Sequence, residues 1–342
     1  MKDLINLHVG RCIGCTRCMR VCPTEAIRII NEKAHLLDER CIFCGNCIAS
    51  CHKNAYNVKS ESFAALSNHE INVAILPVAV FGMITSEEEL GGIYKSLYNY
   101  GFDEVFDLSA VMALLSEEIS QFLKNQDNTY ILSHCPTVVK LIQHKYPSLL
   151  DNLLPFDFSF EIGAKLTKKM VSEKYQIAKE NIGVSYISEC FSNLAAIKSN
   201  LGKKTSEIDH VFLFSDLFKN GIEKDKTKVK VIKNGVQFAK AGGYYNLSTK
   251  YDVLLVDGID QVDDVMEYFY LNRLNSVKLI EAYSCVGGCV GGNFLIEKPF
   301  VAKWKVNKFY EKISVMKNDE VLKHYHSFIE GNEWFFEDKL FP

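Results

Sequence analysis

The spacing of cysteines near the N-terminus constrains the possible folds of this chain more than any other feature of its sequence. Eight of its twelve cysteines lie within the first 51 residues, in two runs with the same spacing. The first run is Cys12-x2-Cys15-x2-Cys18-x3-Cys22, and the second is Cys41-x2-Cys44-x2-Cys47-x3-Cys51. In a reducing compartment, cysteines clustered in this way are more often metal ligands than disulfides. The sequence therefore predicts sulfur-rich metal sites.

The repeated spacing is typical of bacterial ferredoxins that hold two 4Fe-4S clusters. Three cysteines at two-residue gaps surround one face of a cubane, and the fourth reaches the other cluster. This predicts one cluster on Cys12, Cys15, Cys18 and Cys51, and another on Cys22, Cys41, Cys44 and Cys47. Zinc sites or disulfides are the alternative, but neither explains two interleaved runs. The predicted role of this segment is one-electron transfer.

Two local details accompany the cysteine runs. Gly14 and Gly45 allow the backbone to approach the sulfurs closely, so that peptide N–H groups can donate to them. His52 follows Cys51, where proline is usual. We expect that exchange to alter a turn and not the ligation.

Charge and hydropathy exclude several classes of function. The formal net charge of −3 and the pI near 6.3 give no indication of nucleic-acid binding. The sequence begins Met1-Lys2-Asp3, without the apolar segment of a signal peptide. The longest apolar stretch, residues 71–84, is too short to cross a bilayer and contains Pro77. We therefore expect a cytoplasmic protein that binds neither nucleic acid nor membrane.

The remaining chain has the pattern of an α/β protein. Residues 71–81 form a near-continuous apolar run, which predicts a buried strand. Thr85 and Ser86 each precede a glutamate by three residues, which is a capping-box signal for a helix. The order strand, helix, strand, helix, strand favours a parallel sheet. Further strands are predicted at 104–108, 130–133, 182–187, 211–214, 253–256 and 277–282, and further helices at 110–123, 191–201 and 262–274.

The pattern predicts three parts. A small α+β ferredoxin-like domain occupies residues 1–60. An α/β domain of parallel or mixed sheets flanked by helices occupies 68–310, with lobes at about 68–180 and 181–310. A helical tail covers 311–342, and we expect its aromatic end, Trp334-Phe335-Phe336, to pack against the domain.

The last four cysteines lie near predicted strand ends. Cys135, Cys190 and Cys285 each follow a predicted strand, and ligands of open α/β sheets gather at the carboxyl ends of strands. Cys285 and Cys289 also lie among four glycines, in a loop able to wrap a bulky inorganic centre. These positions favour one shared cleft. The alternative is that the four are ordinary buried cysteines.

Around these cysteines the chain resembles the iron-only (FeFe) hydrogenases, especially their sensory-type branch, over nearly all of its length after residue 70. Ser133-His134-Cys135-Pro136, Glu189-Cys190 and residues 281–292 resemble the three motifs of that family. The resemblance implies a third 4Fe-4S cluster on Cys135, Cys190, Cys285 and Cys289. It also implies that Cys289 bridges to a di-iron subcluster bearing CO and cyanide. The cubane and the di-iron unit form the H-cluster, which makes or splits H2.

The surroundings of the di-iron unit depart from the family pattern. His134 stands where catalytic members have a proton-donating cysteine, and Asn193 stands where they have a cyanide-binding lysine. Ser188-Glu189 replaces a methionine-proline pair, and Tyr283 replaces a methionine. Asparagine lacks the fixed positive charge of lysine, and an ionised Glu189 would bring a negative charge towards cyanide.

Two nearby side chains each have two interpretations. His134 is either a proton relay or a hydrogen-bonded structural residue. Glu281 is either a remnant of a proton path or a surface-facing strand end.

These features predict an iron–sulfur protein for electron transfer, or for redox or H2 sensing, with three 4Fe-4S clusters on a hydrogenase-like scaffold. A divergent FeFe hydrogenase with a complete H-cluster is one alternative. An iron–sulfur assembly-type protein is another. We expect the partner to be a redox protein, either a ferredoxin or an oxidoreductase subunit, with H2 as a ligand if the di-iron unit is bound.

Overall fold

The computed structural model describes residues 4–63, 66, 69–219, 221–244, 250–274, 276–313, 318–329 and 331–337. The N-terminal part is a small α+β unit with two antiparallel strand pairs and two short helices. β1 (Ile5–Leu7) pairs with β4 (Tyr56–Val58), β2 (Ile27–Ile30) pairs with β3 (Lys33–Leu36), and the helices are α1 (Arg17–Arg20) and α2 (Asn46–Ser50). This is the predicted ferredoxin-like architecture.

The two short helices begin at matching points of the two cysteine runs. α1 follows Thr16 and α2 follows Gly45, and both of these residues have left-handed backbone, with φ of 64° and 72°. The turn places Cys18 on α1 and Cys47 on α2. The sequence repeat therefore becomes a structural repeat.

The larger part is an α/β domain. In chain order it contains β5 (Ile71–Leu76), α3 (Glu87–Asn99), β6 (Glu104–Asp107), α4 (Ser109–Lys124), β7 (Tyr130–Ile131), α5 (Pro136–Lys145), α6 (Ser159–Tyr175), β8 (Ile182–Ser188), α7 (Phe191–Lys198), β9 (His210–Leu213), α8 (Phe214–Leu217), α9 (Lys233–Val236), β10 (Val253–Asp257), α10 (Ile259–Tyr270), β11 (Leu279–Tyr283), α11 (Pro299–Lys312) and α12 (Asn318–His326). No helix among the described residues is long and apolar enough to cross a membrane.

Two parallel sheets organise this domain. One has the order β6-β5-β8-β9, and the other has the order β10-β11-β7. Each sheet takes strands from both sides of residue 180, so the predicted lobes at 68–180 and 181–310 interleave. The chain leaves the first sheet to form β7, returns for β8 and β9, and then completes the second sheet.

The predicted strand at 71–81 is too long. β5 ends at Leu76, and Val78–Gly82 forms a 3-10 helix after Pro77. Proline has no N–H to donate to the neighbouring strand, so the ladder stops there. The apolar residues that follow still fill the core, since Val80 and Phe81 are fully buried.

The start of α3 confirms the capping-box prediction. Ser86 Oγ accepts a hydrogen bond of 3.3 Å from the N–H of Glu89. The Glu89 carboxylate accepts one of 2.6 Å from the N–H of Thr85. These bonds satisfy N–H groups that the first helical turn leaves without backbone partners.

Aromatic contacts join the small domain to the large one. Phe63, in the connecting segment, stacks against Tyr100 and Phe212 with ring centroids 4.2 Å and 4.4 Å away. Phe43 meets Phe191 edge-on at 6.5 Å. A Cβ on Gly45 would lie 1.7 Å from the side-chain nitrogen of Asn293, so a larger residue there would have to displace that side chain.

The aromatic end of the tail packs on the domain. Phe335 stacks against Phe156 at 5.2 Å, and Phe336 meets Phe158 at 5.0 Å. Trp334 is buried, and its carbonyl accepts a hydrogen bond of 2.8 Å from the N–H of Asp157.

Candidate metal centres

Four cysteines surround a cavity on the outer side of the small domain. The cavity encloses about 350 Å³, part of it open to solvent, and its lining also includes apolar side chains such as Ile29 and the basic residues Arg17 and Lys53. The N–H of Ala55 donates to Sγ of Cys51 over 3.3 Å, as expected for a backbone that stabilises thiolate sulfur. The cysteines are Cys12, Cys15, Cys18 and Cys51, the set predicted for one cluster.

The other four N-terminal cysteines surround a second cavity of similar size. It encloses about 340 Å³ and lies against Phe191 of the large domain. The N–H of Ala26 donates to Sγ of Cys22 over 3.1 Å. Burial raises the pKa of Cys41 to about 11 and that of Cys44 to about 12. The lining includes Cys22, Cys41, Cys44 and Cys47, the set predicted for the second cluster.

The remaining cysteines line a third cavity, between the two sheets of the large domain. Three of them follow strands that end at this point, which places side chains from distant segments together. The cavity encloses about 680 Å³, part of it open to solvent, which is about twice the volume of the other two. Burial is the largest influence on these thiols, and it raises the pKa of each. They are Cys135, Cys190, Cys285 and Cys289.

The three cavities form a row. Cys44 lines both the second and the third cavity. Cys18, in the first cavity, belongs to a cluster of buried side chains against which Cys47, in the second cavity, packs. The row therefore runs from the outer face of the small domain to the interior of the large one.

The thiols are arranged around cavities and not around single ions. All twelve cysteines are free, and no three His, Cys, Asp or Glu side chains in the described part of the chain are close enough to hold one metal ion. A zinc site needs four ligands within about 2.3 Å of one ion. In a 4Fe-4S cluster each thiolate binds a different iron, so the ligands stand apart around the inorganic core. The arrangement of the cysteines therefore fits 4Fe-4S clusters and not single zinc ions.

A buried polar network forms one wall of the third cavity. Tyr186 Oη donates to Oε2 of Glu189 over 2.9 Å, and Asn193 Nδ2 donates to Oε1 of Glu189 over 3.0 Å. Burial raises the pKa of Glu189 to about 7, although these two hydrogen bonds act in the opposite direction. The amide of Asn193 is thus occupied by a neighbouring side chain.

His134 forms another part of the wall. Its ring lies 4.5 Å from the ring of Tyr283, edge-on. Both ring nitrogens are shielded from solvent, and neither has a hydrogen-bond partner among the described residues. Burial lowers the pKa of His134 to about 3, so the ring is neutral. The expectation of a hydrogen-bonded structural histidine is therefore not met.

Glu281 is fully buried on β11, so the expectation of a surface-facing strand end is wrong. Its Oε1 accepts hydrogen bonds from Tyr283 Oη at 2.7 Å and from the N–H of Gly242 at 3.0 Å. Its Oε2 has no partner in the described structure, and burial raises its pKa. The hydroxyl of the neighbouring Tyr244 also lacks a partner there.

Sequence reasoning missed two of these tyrosines. Tyr186 lies on β8, which is buried along its whole length, so no alternation of polar and apolar residues marks its face. Tyr244 comes from a loop after Gly242 and Gly243, where no periodic signal exists.

Comparison with known proteins identifies similar sequences and folds. Residues 4–52 match the 4Fe-4S dicluster domain, and residues 72–248 match the family described as iron only hydrogenase large subunit, C-terminal domain. The structure of HydA(deltaEFG), described as revealing stepwise FeFe-hydrogenase H-cluster assembly, superposes with a TM-score of 0.59. A variant of apo FeFe-hydrogenase HydA1 from Chlamydomonas reinhardtii gives 0.57. Each is 14% identical and aligns over 81% of this chain and 97% of the other. At this identity they show a shared fold.

Proposed function

Since this chain belongs to the family of iron-only hydrogenase large subunits, we propose that it is an electron-transfer or redox/H2-sensing protein with three 4Fe-4S clusters. The observation that carries the proposal is the row of three cavities, each lined by its own set of four of the twelve cysteines, with Cys44 of the middle set also lining the inner cavity. A bound cubane exchanges one electron and, with all four irons held by cysteine, offers no open coordination position.

The ligands divide into three sets in this proposal. The outer cavity would use Cys12, Cys15, Cys18 and Cys51, the middle cavity Cys22, Cys41, Cys44 and Cys47, and the inner cavity Cys135, Cys190, Cys285 and Cys289. Cys44 lines both the middle and the inner cavity, which supports an electron path from the small domain into the large one.

Burial and backbone N–H donors have opposite effects on the protonation of the cysteine thiols. Burial keeps the thiols of the inner set protonated, so they must lose protons when they bind iron. The backbone N–H groups of Ala26 and Ala55 already point at sulfur in the small domain, and the N–H of Asn193 lies 3.5 Å from Sγ of Cys190. Such donors favour the thiolate form.

The inner cavity lacks the groups expected of a fast hydrogenase. No lysine lines it within the part of the chain that the structure describes. Asn193 uses its amide on Glu189. His134 is neutral, and its nitrogens have no hydrogen-bond partner among the described residues through which to receive or pass a proton. We therefore propose that H2 turnover is weak or absent.

A divergent hydrogenase with a complete H-cluster is the second candidate. One observation favours it, which is the volume of the inner cavity: about 680 Å³ against about 350 Å³ for the outer one. Cys289, the thiol that would bridge to a di-iron unit, is present in that cavity.

Metal analysis and infrared spectroscopy test the proposal together. After anaerobic reconstitution we expect about twelve irons and about twelve sulfides per chain, because each of three cubanes holds four of each. A plateau at about eight irons would remove the inner cluster from the proposal. The protein should next be produced with hydrogenase maturation factors. Strong CO and cyanide bands, with sustained H2 evolution from a reduced dye, would favour the second candidate.

A further inference from the structure

Two helices of the large domain, α10 and α11, begin beside the same short loop. Val286 of this loop lies against Gly258, the residue before α10, since a Cβ on Gly258 would stand 3.4 Å from Cγ2 of Val286. The next residue, Gly287, lies against α11, since a Cβ there would stand 3.3 Å from Cδ of Lys303. The outer sides of the two helices and residues 286–287 are called here the paired-helix face.

The paired-helix face exposes large apolar side chains. On α11, Phe300 is 74% exposed and Trp304 is 54% exposed. The two are four residues apart, so they lie on the same side of the helix. The other side of α11 is already packed in the core through Val306 and Phe309, which are fully buried. Because Val286 is exposed beside them, the aromatic pair belongs to an apolar patch of the kind that contacts another protein.

The two helices of this face carry opposite charges. α10 contains four acidic residues and no lysine or arginine, whereas α11 contains four lysines and one glutamate. Asp260, Asp264 and Glu267 are exposed at positions i, i+4 and i+7 of α10, on one side of the helix. None of them forms an ion pair with a described residue. The same holds for Lys298 and Lys303, at the N-terminal end of α11.

Both charge arrangements are unfavourable in an isolated chain. Like charges four residues apart on a helix repel each other, and a cation beside a helix N-terminus is opposed by the helix dipole. Neither arrangement is relieved by an ion pair in the described structure. A second molecule relieves both if it brings lysines to α10 and carboxylates to α11. A second copy of this chain meets both conditions, because its own face presents the same two helices side by side.

We propose that the paired-helix face joins two copies of this chain about a two-fold axis, with α10 of each copy against α11 of the other. Phe300 and Trp304 of one copy then pack beside the exposed Tyr268 of the second, and lysines of α11 meet carboxylates of α10. Such a contact uses the same surface twice and closes at the dimer. Since Val286 follows Cys285, the contact also covers the loop that carries two thiols of the inner cavity.

Charge exchange between the two helices tests the proposal in the full-length, anaerobically reconstituted protein, by sedimentation velocity over a range of concentrations. The lysine variant is Lys298→Glu with Lys303→Glu, and the aspartate variant is Asp260→Lys with Asp264→Lys. For each variant alone, the dimer dissociation constant should rise by about tenfold or more, since like charges then meet at both contacts. An equimolar mixture of the two variants should form dimers again, because each contact then joins opposite charges.

The aromatic pair is tested separately. Phe300→Ser with Trp304→Ser should also raise the dimer dissociation constant by about tenfold or more. The matched control is Val9→Ser with Ile30→Ser, which removes two exposed apolar side chains from the small domain. The dissociation constant of this control should stay within about twofold of that of the unchanged protein. An equal rise in the aromatic variant and its control would overturn the proposal.

The mixture of charge variants also distinguishes a lost contact from a lost fold, because a misfolded chain cannot supply the complementary helix. A mixture that stays monomeric, while both variants keep the iron content of the unchanged protein, would overturn the proposal. So would an unchanged protein that is monomeric at its highest soluble concentration. Oligomers that grow beyond the dimer would show a head-to-tail contact and would refute the two-fold arrangement. If either charge variant loses iron, the aromatic variant and its control decide the question.

Discussion

Asn193 and Glu189 are joined by a hydrogen bond of 3.0 Å, from Nδ2 of the amide to Oε1 of the carboxylate. The resemblance to catalytic sequences predicts a lysine at the first position and a proline at the second. Here the two side chains satisfy each other and Tyr186, so this wall offers no fixed positive charge to an anionic ligand. Two of the positions at which the chain departs from the family pattern are therefore in direct contact.

Substitution of one inner cysteine should remove one cluster. Cys190→Ser or Cys289→Ser is expected to lose a single cubane signal by electron paramagnetic resonance and to keep the signals of the small domain. Each thiol lines the inner cavity and no other in the described structure. Cys15→Ser is the matched control and should affect the outer cluster while sparing the inner one. Loss of every signal in any of these variants would show that the clusters do not assemble independently.

Glu281 should make the stability of the protein depend on pH. Burial raises its pKa above the ordinary value, so the neutral acid is favoured in the native state. The unfolded chain releases this proton at lower pH. Its contribution to stability is therefore full in acid and is lost as the pH rises towards the native pKa.

The test compares the unchanged protein with Glu281→Gln, which remains uncharged at every pH. Relative to this variant, the free energy of unfolding should fall with rising pH, by at most about 1.4 kcal/mol per pH unit. Urea denaturation from about pH 5 to about pH 8 measures it. Glu297→Gln is the control, because Lys305 at 2.7 Å lowers the pKa of Glu297, so its contribution to stability is lost only at lower pH and should be nearly constant over this range. Parallel curves for the unchanged protein and Glu281→Gln would contradict the prediction.

Phe63 should hold the two domains together. Replacing it with alanine removes the stacks on Tyr100 and Phe212, at a cost of about 2 kcal/mol for a partly buried ring. Limited proteolysis should then cleave faster between residues 59 and 70, with the iron content unchanged. Phe63→Leu keeps most of the apolar volume and should be cleaved more slowly than the alanine variant. Equal cleavage of Phe63→Ala and the unchanged protein would contradict this role.

Removal of the Lys203 ammonium group should destabilise the protein. Its side chain is 2% exposed and lies 2.7 Å from Asp157 and 3.5 Å from Glu161, both of which are buried. Lys203→Met would remove the cation that pairs with both carboxylates, and should lower the free energy of unfolding by about 3 kcal/mol or more. The control is Lys168→Met, since Lys168 pairs with the more exposed Glu207 and Asp209, and a loss of about 1 kcal/mol or less is expected there. Equal shifts in the urea midpoint would refute the distinction.

The grouping of the cysteines could be predicted from the sequence, because it depends on local spacing and on where strands end. The cysteine spacing predicted two interleaved sets, and the structure places each set around its own cavity. The rule that parallel strands end at one edge predicted that Cys135, Cys190 and Cys285 would share a cleft, and all three line the inner cavity. Their role as ligands stays a prediction.

Long-range pairing could not be read in the same way. The chain passes from the first sheet to β7 and back to the first sheet. No periodic pattern in the sequence indicates this path, because each strand is buried whichever sheet it joins. The neighbours of Glu281 and His134 come from segments distant in sequence, so neither the burial of the glutamate nor the unpartnered ring nitrogens of the histidine could be predicted.

The path of β7 also sets an order of events on the ribosome. The eight cysteines of the small domain have all been synthesised by Cys51, and the domain is complete once β4 ends at Val58. β7 cannot pair with β11 until β11 has been synthesised, because Tyr130 of β7 pairs with Leu279 of β11. The eight cysteines of the small domain are therefore together early in synthesis, whereas Cys135 and Cys190 stay without Cys285 and Cys289 until residue 289 has emerged. A cluster in the inner cavity, as proposed above, could therefore have all of its ligands only after Cys289 has been synthesised.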